Sequence, residues 1–178
     1  MNLLIRLIIT LFKFRVDKNF KINQVITQNF YVLPNDLDLH GHMNNGRYLT
    51  IMDLGRLALM KQSGLLKIVK QQKYLPVVGS TTITYRKELK VFDKFTLKTQ
   101  ITHMDDKWMY ILHEMWRGEQ KVASAILKGL FIKNGKSVPT QELLDKMGMQ
   151  WPANQQKPAY LDNFDITADE VFKDNINA

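Results

Sequence analysis

The feature that most constrains the fold is residues 45–65, a helix-forming stretch whose apolar side chains cover more than half of the helical circumference. A helix that lies on a protein surface keeps its apolar residues in a narrower stripe, so other parts of the chain must enclose this one. Asp53 inside it needs a partner, and Arg56 lies three residues on. Ser63-Gly64 favours a turn near the C-terminal end. The apolar and small positions are Leu49, Ile51, Met52, Leu54, Gly55, Ala58 and Leu59.

The second half of the chain changes to the period-two pattern of β-strands. Four segments rich in β-branched and aromatic residues, 76–89, 95–102, 108–116 and 121–132, are separated by short polar turns. This spacing predicts an antiparallel meander of four strands. Residues 25–33 predict one earlier strand. One early strand, one enclosed helix and a meander together predict an α+β fold in which a sheet curls around the helix.

The segment directly before the long helix is dense in reactive and backbone-permissive residues. Residues 36–46 hold two Asp, two His, two Asn and two Gly. Free backbone N–H groups at a helix N-terminus attract negative charge. We therefore interpret this segment as a site, with Gly41 required by the backbone. Asp36, which follows Pro34, is interpreted as a turn residue.

The pattern Asp38-x-x-Gly41-His42-Met43-Asn44-Asn45-x-x-Tyr48 resembles the hotdog-fold acyl-CoA thioesterases of the 4-hydroxybenzoyl-CoA thioesterase type. It is most similar to their GH(V/M)NN branch, which includes plant acyl-carrier-protein thioesterases and membrane-associated animal thioesterase-superfamily proteins. The resemblance covers residues 26–139, with a looser echo at 85–89 and 92–93. It implies a hotdog fold, an antiparallel sheet wrapped around a long central helix, with subunits paired edge to edge and sites between them.

The resemblance also implies roles for three residues. Asp38 occupies the position of the catalytic carboxylate, which acts as a general base or as a nucleophile; the alternative is an Asp that caps a turn. The backbone N–H of Asn45, seven residues later, occupies the position of the oxyanion donor. His42 is expected to bind substrate or to orient Asp38, and the alternative is a structural histidine.

Further residues are candidates for substrate binding. Gly41, Asn44 and Gly46 surround the helix start, where Asn is also a good N-cap. Arg86 is a candidate for the phosphates of coenzyme A, and the alternative is a solvated strand end. We interpret Tyr48 as a packing residue under the loop.

Composition narrows the remaining chemistry. A chain of 178 residues is long enough for one well-buried domain. It has no cysteine, which excludes disulfides and thiol nucleophiles, and its four His do not have the spacing of a structural zinc site. We expect no metal and no cofactor. The net charge of +8 attracts phosphates, but no basic-aromatic motif of a nucleic-acid-binding module is present. Coenzyme A and an anionic membrane are therefore favoured over nucleic acid.

Residues 2–14 predict a helix with a narrow polar stripe that includes Arg6, Thr10 and Lys13, surrounded by Leu, Ile and Phe. Such a helix spans about 20 Å, less than the roughly 30 Å hydrocarbon core of a bilayer. We expect residues 1–16 to lie on an anionic membrane surface and to attach an otherwise cytoplasmic protein peripherally. The alternative is that the apolar face packs on the protein itself or on a partner subunit.

The chain is accordingly divided into a basic amphipathic helix (1–23), a hotdog domain (24–148) and an extended or partly ordered acidic appendage (149–178). The expected function is hydrolysis of acyl-CoA or acyl-carrier-protein thioesters by a homodimer or higher homo-oligomer. A non-catalytic acyl-thioester-binding or membrane-associated scaffold of the same fold is the alternative. A hydratase of the same fold is less favoured. Its usual helix start contains a His and lacks this Asp, and the sequence does not show that pattern.

Overall fold

The computed structural model describes residues 3–173, with side chains through Glu170. Asn2, placed on the predicted polar stripe, and residues 174–178 of the predicted appendage lie outside that range. The helices are α1 (Leu3–Lys13), α2 (Asn45–Gln62), α3 (Leu65–Gln72), α4 (Thr140–Met147) and α5 (Tyr160–Lys173). The strands are β1 (Ile26–Tyr31), β2 (Leu75–Tyr85), β3 (Lys94–Met104), β4 (Met109–Arg117), β5 (Gln120–Lys133) and β6 (Lys136–Val138), and a 3₁₀ turn covers Pro34–Asp36.

The strands form one six-stranded antiparallel sheet in the order β1-β3-β4-β5-β2, with β6 paired to β5. The prediction of a four-stranded meander is correct for β3, β4 and β5 and wrong for β2. Instead of lying beside β3, β2 pairs with β5 at one edge of the sheet. Strand patterns locate strands but carry no information on which strand is the neighbour.

Helix α2 packs against one face of this sheet, as its enclosed pattern predicts. A Cβ atom on Gly55 would lie only 2.3 Å from Thr99 Oγ1 and 2.9 Å from Leu97 Cδ2, so the backbone of α2 approaches β3 closely. Asp53 forms the predicted ion pair with Arg56. The α+β hotdog fold is thus confirmed. The predicted turn at Ser63-Gly64 is also present, but a second helix, α3, follows it.

Helix α5 covers the opposite face of the sheet. Successive residues of a strand point to opposite faces. Met109 of β4 belongs to the core beside α2, whereas its neighbour Tyr110 packs on Leu161 and Phe164 of α5. Residues 160–173 therefore form a helix, so of the two expectations for the appendage, extended or partly ordered, the extended one is wrong for them. The division of the chain at residues 23 and 148 stays a prediction.

Helix α1 docks with its polar face inward. Arg6 and Thr10 are buried, and Thr10 Oγ1 accepts a hydrogen bond from Gln28 Nε2 of β1 at 3.3 Å. The alternative that the apolar face packs on the protein's own body is therefore wrong within one chain. The apolar side chains on the exposed side of α1 are Leu4, Ile5, Ile8, Ile9 and Phe12.

Candidate functional site

The predicted site segment folds into a small hairpin, residues 36–44, which we call the Asp38 hairpin. At its base the Asn44 N–H donates to the Asp36 carbonyl at 2.8 Å, and one step further the Asp38 N–H donates to the His42 carbonyl at 2.8 Å. The tip turns at Gly41, whose φ of +78° favours glycine. The hairpin therefore holds Asp38 in a defined position just before α2.

The carboxylate of Asp38 is exposed, and backbone amides orient it. Its Oδ1 accepts hydrogen bonds from the His40 N–H at 2.9 Å and from the His42 N–H at 3.3 Å. The turn-capping alternative is thus correct for Oδ1, while Oδ2 accepts no hydrogen bond within residues 3–173. The hydrogen bond between His42 and Asp38 comes from the His42 backbone N–H.

The first turn of α2 presents one amide to the site. Asn44 caps the helix, since its Oδ1 accepts from the Gly46 N–H at 2.9 Å and its carbonyl from the Arg47 N–H at 2.8 Å. The Asn44 and Gly46 amides are therefore engaged within the loop. In the part of the chain that the structure describes, Asn45 is the residue of this turn whose N–H has no protein acceptor. This is the amide that the thioesterase resemblance singles out as oxyanion donor.

A cleft of about 250 Å³ connects these groups to the C-terminal end of β2. Tyr48 and Tyr85 pack edge to face there, with ring centroids 5.1 Å apart, and the Tyr85 hydroxyl donates to the Asn45 carbonyl at 3.1 Å. Burial raises the pKa of both tyrosines, so both stay protonated at neutral pH. The cleft is lined by Asp38, His42, Met43, Asn45, Tyr48, Tyr85, Arg86, Lys87 and Glu88.

The structure thus brings Asp38, His42, Asn45 and Arg86 to one cleft, whereas Gly41, Asn44 and Gly46 shape the surrounding backbone. The functional role of each stays a prediction. Sequence reasoning missed Glu88 as a second carboxylate beside the cleft; the pKa of Glu88 is lowered, mainly by a backbone hydrogen bond. Glu88 could have been found from its position in residues 85–89, which belong to the looser part of the resemblance to the thioesterases.

Asp36 is the turn residue that was predicted, since it ends the 3₁₀ turn Pro34–Asp36, but its side chain also has a role that was not predicted. Its carboxylate is buried and accepts two hydrogen bonds from Arg6, at 3.1 Å to Oδ1 and 2.6 Å to Oδ2. The Leu33 N–H also donates to Oδ2 at 2.9 Å. Asp36 is therefore an internal anion that ties α1 to the base of the Asp38 hairpin.

A second, apolar cavity of about 290 Å³ lies between α2, α3 and the sheet. Leu57, Met60, Ile101 and Leu127 contribute to its walls, and the Asp53–Arg56 ion pair lies at its polar side. Its lining is suited to an apolar group. Within residues 3–173 no three His, Cys, Asp or Glu side chains converge as a metal site requires, and no helix has both the length and the apolarity to cross a bilayer.

Comparison with known proteins identifies relatives of this fold and sequence. Residues 32–159 match the family profile of the thioesterase-like superfamily. Protein THEM6 of Xenopus laevis is 35% identical over 96 residues, which cover 54% of this chain and 46% of that protein. Protein THEM6 of Danio rerio is 41% identical over 80 residues, covering 45% of this chain and 40% of that protein. The chain thus spans less than half the length of these two curated relatives.

Solved structures share the fold at low sequence identity. The probable thioesterase YbaW of Escherichia coli superposes with a TM-score of 0.64 at 24% identity, covering 68% of this chain and 96% of that one. The Staphylococcus aureus protein SAV2348, whose structure contains CoA, gives a TM-score of 0.62 at 20% identity, covering 80% and 99%. At these identities the likeness establishes the fold alone.

Proposed function

Because this chain belongs to the thioesterase-like superfamily, we propose that it hydrolyses acyl thioesters to a free acid and a thiol. The observation that carries the proposal is the placement of an oriented carboxylate, Asp38, beside the unengaged N–H of Asn45 at a helix N-terminus. Thioester hydrolysis needs a group that activates or replaces water and a donor that stabilises the oxyanion of the tetrahedral intermediate. The cleft offers both.

Asp38 acts through its Oδ2 in this proposal. The two amides on Oδ1 fix the carboxylate plane, so that Oδ2 takes a proton from water or attacks the carbonyl carbon directly. In both routes the carbonyl oxygen becomes negative and accepts a hydrogen bond from the Asn45 N–H, aided by the dipole of α2. The carbon–sulfur bond then breaks and the thiolate leaves, taking up a proton from Asp38 in the general-base route or from solvent. In the nucleophilic route the acyl group remains on Asp38 as an anhydride, and water then hydrolyses this anhydride to release the acid.

We propose acyl-CoA as the substrate class, with an acyl-carrier-protein thioester as the alternative. Arg86 and Lys87 line the cleft and are exposed. Their guanidinium and ammonium groups are suited to binding the phosphates of coenzyme A. The apolar cavity accepts the acyl group in this proposal. Because it borders residues 76–78, at the opposite end of β2 from the cleft, the cavity beside the cleft is that of a second copy paired along β2. The Staphylococcus aureus relative with bound CoA supports the choice of carrier.

We further propose a homodimer that pairs β2 with the same strand of a second copy. The other edge strand, β1, is covered by α1, since Arg6 Nη2 donates to the Tyr31 carbonyl at 2.8 Å. Strand β2 is the open edge, and it carries the exposed apolar side chains of Leu75 and Val78. A two-fold axis through the middle of β2 places the Tyr85 end, with its cleft, beside residues 75–78 of the other copy.

We also propose that α1 attaches the protein to anionic membranes. Its polar face is used for docking, and its outward face is apolar, with Phe12 81% exposed. The apolar surface continues through Ile9 to Tyr31 and Phe92, which line one groove. Arg6 is buried against Asp36, but the other four basic residues among residues 1–23 are exposed and add attraction to anionic lipid: Lys13, Arg15, Lys18 and Lys21.

The function is tested by thiol release from a panel of acyl-CoA esters with short, medium, long and aromatic acyl groups. Asp38→Asn keeps the size and a carbonyl acceptor but cannot act as a carboxylate, so kcat should fall by at least about 10²-fold with KM changed far less. Glu88→Gln is the matched control at the other carboxylate of the cleft and should keep most of the rate. If Asp38→Asn retains more than about a tenth of the wild-type kcat, the loss is smaller than the smallest contribution expected of a general base. The catalytic proposal then fails.

Binding of CoA esters without turnover by the wild-type protein would favour the scaffold function instead. In that case Asp38 would serve only as the cap of its turn. Loss of melting temperature together with rate in Asp38→Asn would point the same way.

A further inference from the structure

The base of the Asp38 hairpin is the point through which both candidate catalytic groups are positioned. Asp36 lies two residues before Asp38, and its carbonyl accepts the hydrogen bond from Asn44. Asn44 in turn caps α2 directly before Asn45. A shift of Asp36 therefore moves the carboxylate and the oxyanion donor relative to each other.

The carboxylate of Asp36 is held from α1. Arg6 binds it through two parallel hydrogen bonds, and the two side chains are 4% and 1% exposed. A bidentate guanidinium fixes the orientation of a carboxylate as well as neutralising its charge. The other cation near it, Arg47, has Nε 3.8 Å from Oδ1 and is one third exposed. Arg6 is thus the buried cation that fixes the Asp36 carboxylate, together with the Leu33 N–H.

We propose that Arg6 is a positioning residue for thioester hydrolysis: docked α1 locks the base of the Asp38 hairpin through Asp36 and so sets Asp38 against the Asn45 N–H. This inference rests on the proposed function. The Arg6 and Asp36 side chains join α1 to the base of the hairpin, so catalysis depends on the docked state of a helix that contributes no group to the cleft.

A purely structural ion pair is the competing explanation, and a charge-neutral double variant separates the two. Arg6→Met removes the guanidinium and leaves a buried carboxylate poorly paired, which is destabilising. Arg6→Met/Asp36→Asn removes both charges, so stability should largely return. Asn still offers a carbonyl oxygen to the Leu33 N–H. Thr10→Val is the matched control, because it removes a polar contact of the same buried helix face at β1, away from the hairpin.

The measurements are kcat and KM on the acyl-CoA that the wild type hydrolyses fastest, melting temperature, and amide hydrogen exchange of residues 37–43. Both Arg6 variants should lose between about ten- and a hundredfold in kcat, as expected when a reacting group is displaced by about 1 Å, with a smaller change in KM. Exchange in the hairpin should rise in both. The double variant should regain melting temperature but not kcat, and Thr10→Val should keep kcat.

The proposal is overturned if the double variant recovers kcat along with melting temperature, or if hairpin exchange stays at the wild-type level. Failure of the proposed function looks different. It appears as no turnover by the wild type, or as full activity of Asp38→Asn, and it overturns both proposals together.

Discussion

The Nη1 atom of Arg56 on α2 lies 3.3 Å from the Nε2 atom of His113 on β4, on the buried floor beneath the central helix. A guanidinium only donates hydrogen bonds, so Nε2 must accept and the ring proton must reside on Nδ1. That proton points to Thr99 Oγ1, 3.0 Å away. The imidazole is therefore neutral in the folded protein, and it bridges the helix to two strands.

This contact predicts a specific loss of stability in acid. Burial, and secondarily Arg56, lowers the pKa of His113 from 6.5 to about 3. Below pH 6.5 His113 binds a proton in the unfolded chain but not in the folded chain. The free energy of unfolding therefore decreases as the pH is lowered from 6.5 to about 3. Urea denaturation between pH 7 and pH 4 measures the effect. In His113→Gln the unfolding free energy should fall less steeply with decreasing pH, with a slope that corresponds to up to one proton fewer taken up on unfolding. His40→Gln, a substitution at an exposed position, should keep the wild-type slope. Parallel slopes in all three proteins would contradict the assignment.

A second prediction concerns the docking of α5. The Tyr110 hydroxyl donates to Asp165 Oδ2 at 2.7 Å, and Lys128 binds the same carboxylate at 3.1 Å. Tyr110→Phe removes a hydrogen bond to a charged group, which should cost about 1.5 kcal/mol of unfolding free energy. Faster amide exchange in residues 160–173 should accompany it. Tyr160→Phe, at an exposed position of the same helix, is the control and should change neither quantity.

The fold was predictable where the pattern is local. The enclosed helix, the period-two strands and the hairpin motif all lie in continuous stretches of sequence. The neighbour of β2 was not predictable, because a strand's own residues do not encode its partner. Helix α5 was missed because the apolar residues that pack on the sheet, Leu161 and Phe164, alternate with four acidic residues, Asp162, Asp165, Asp169 and Glu170.

The candidate site shows the same limit. Asp38 and Asn45 were found because they share one motif with the helix start. The turn role of Asp36 was predicted correctly, but its ion pair was missed because its partner, Arg6, lies thirty residues earlier in the chain. The polar stripe of α1 correctly predicted an amphipathic helix. The sequence pattern does not show, however, which of its two faces packs against the protein. Only the buried anion at Asp36 decides that the polar face turns inward.

A third prediction concerns membrane binding by α1. Ile5→Glu/Phe12→Glu should reduce co-sedimentation with phosphatidylserine-containing vesicles at least about tenfold, since each buried apolar side chain contributes roughly 1.5–3 kcal/mol. Point substitutions are better than deletion of residues 1–16, which would leave Asp36 buried without Arg6. Ile166→Glu makes the same kind of change on α5 and should have no effect. Equal sedimentation of all three proteins would refute the membrane proposal.

The last prediction concerns the open edge of β2. If two copies pair about an axis near Ser80, Val78 of one faces Thr82 of the other, so Val78→Lys/Thr82→Lys places like charges opposite each other. That variant should be monomeric in light scattering at micromolar concentration. Thr27→Lys/Asn29→Lys adds the same charge to the β1 edge and should leave the dimer intact.

A loss of activity in the lysine variant alone would be ambiguous, because Val78 also lines the apolar cavity. The complementary variant Val78→Glu/Thr82→Glu resolves this. Each variant should be monomeric and weakly active by itself, and mixing the two should restore both the dimer mass and thioester turnover, since opposite charges now face each other across the paired strands. Recovery of mass without turnover would mean that the substitutions at the cavity, and not the loss of the partner, cause the loss of activity. Full activity of either monomer alone would remove the partner from the site altogether.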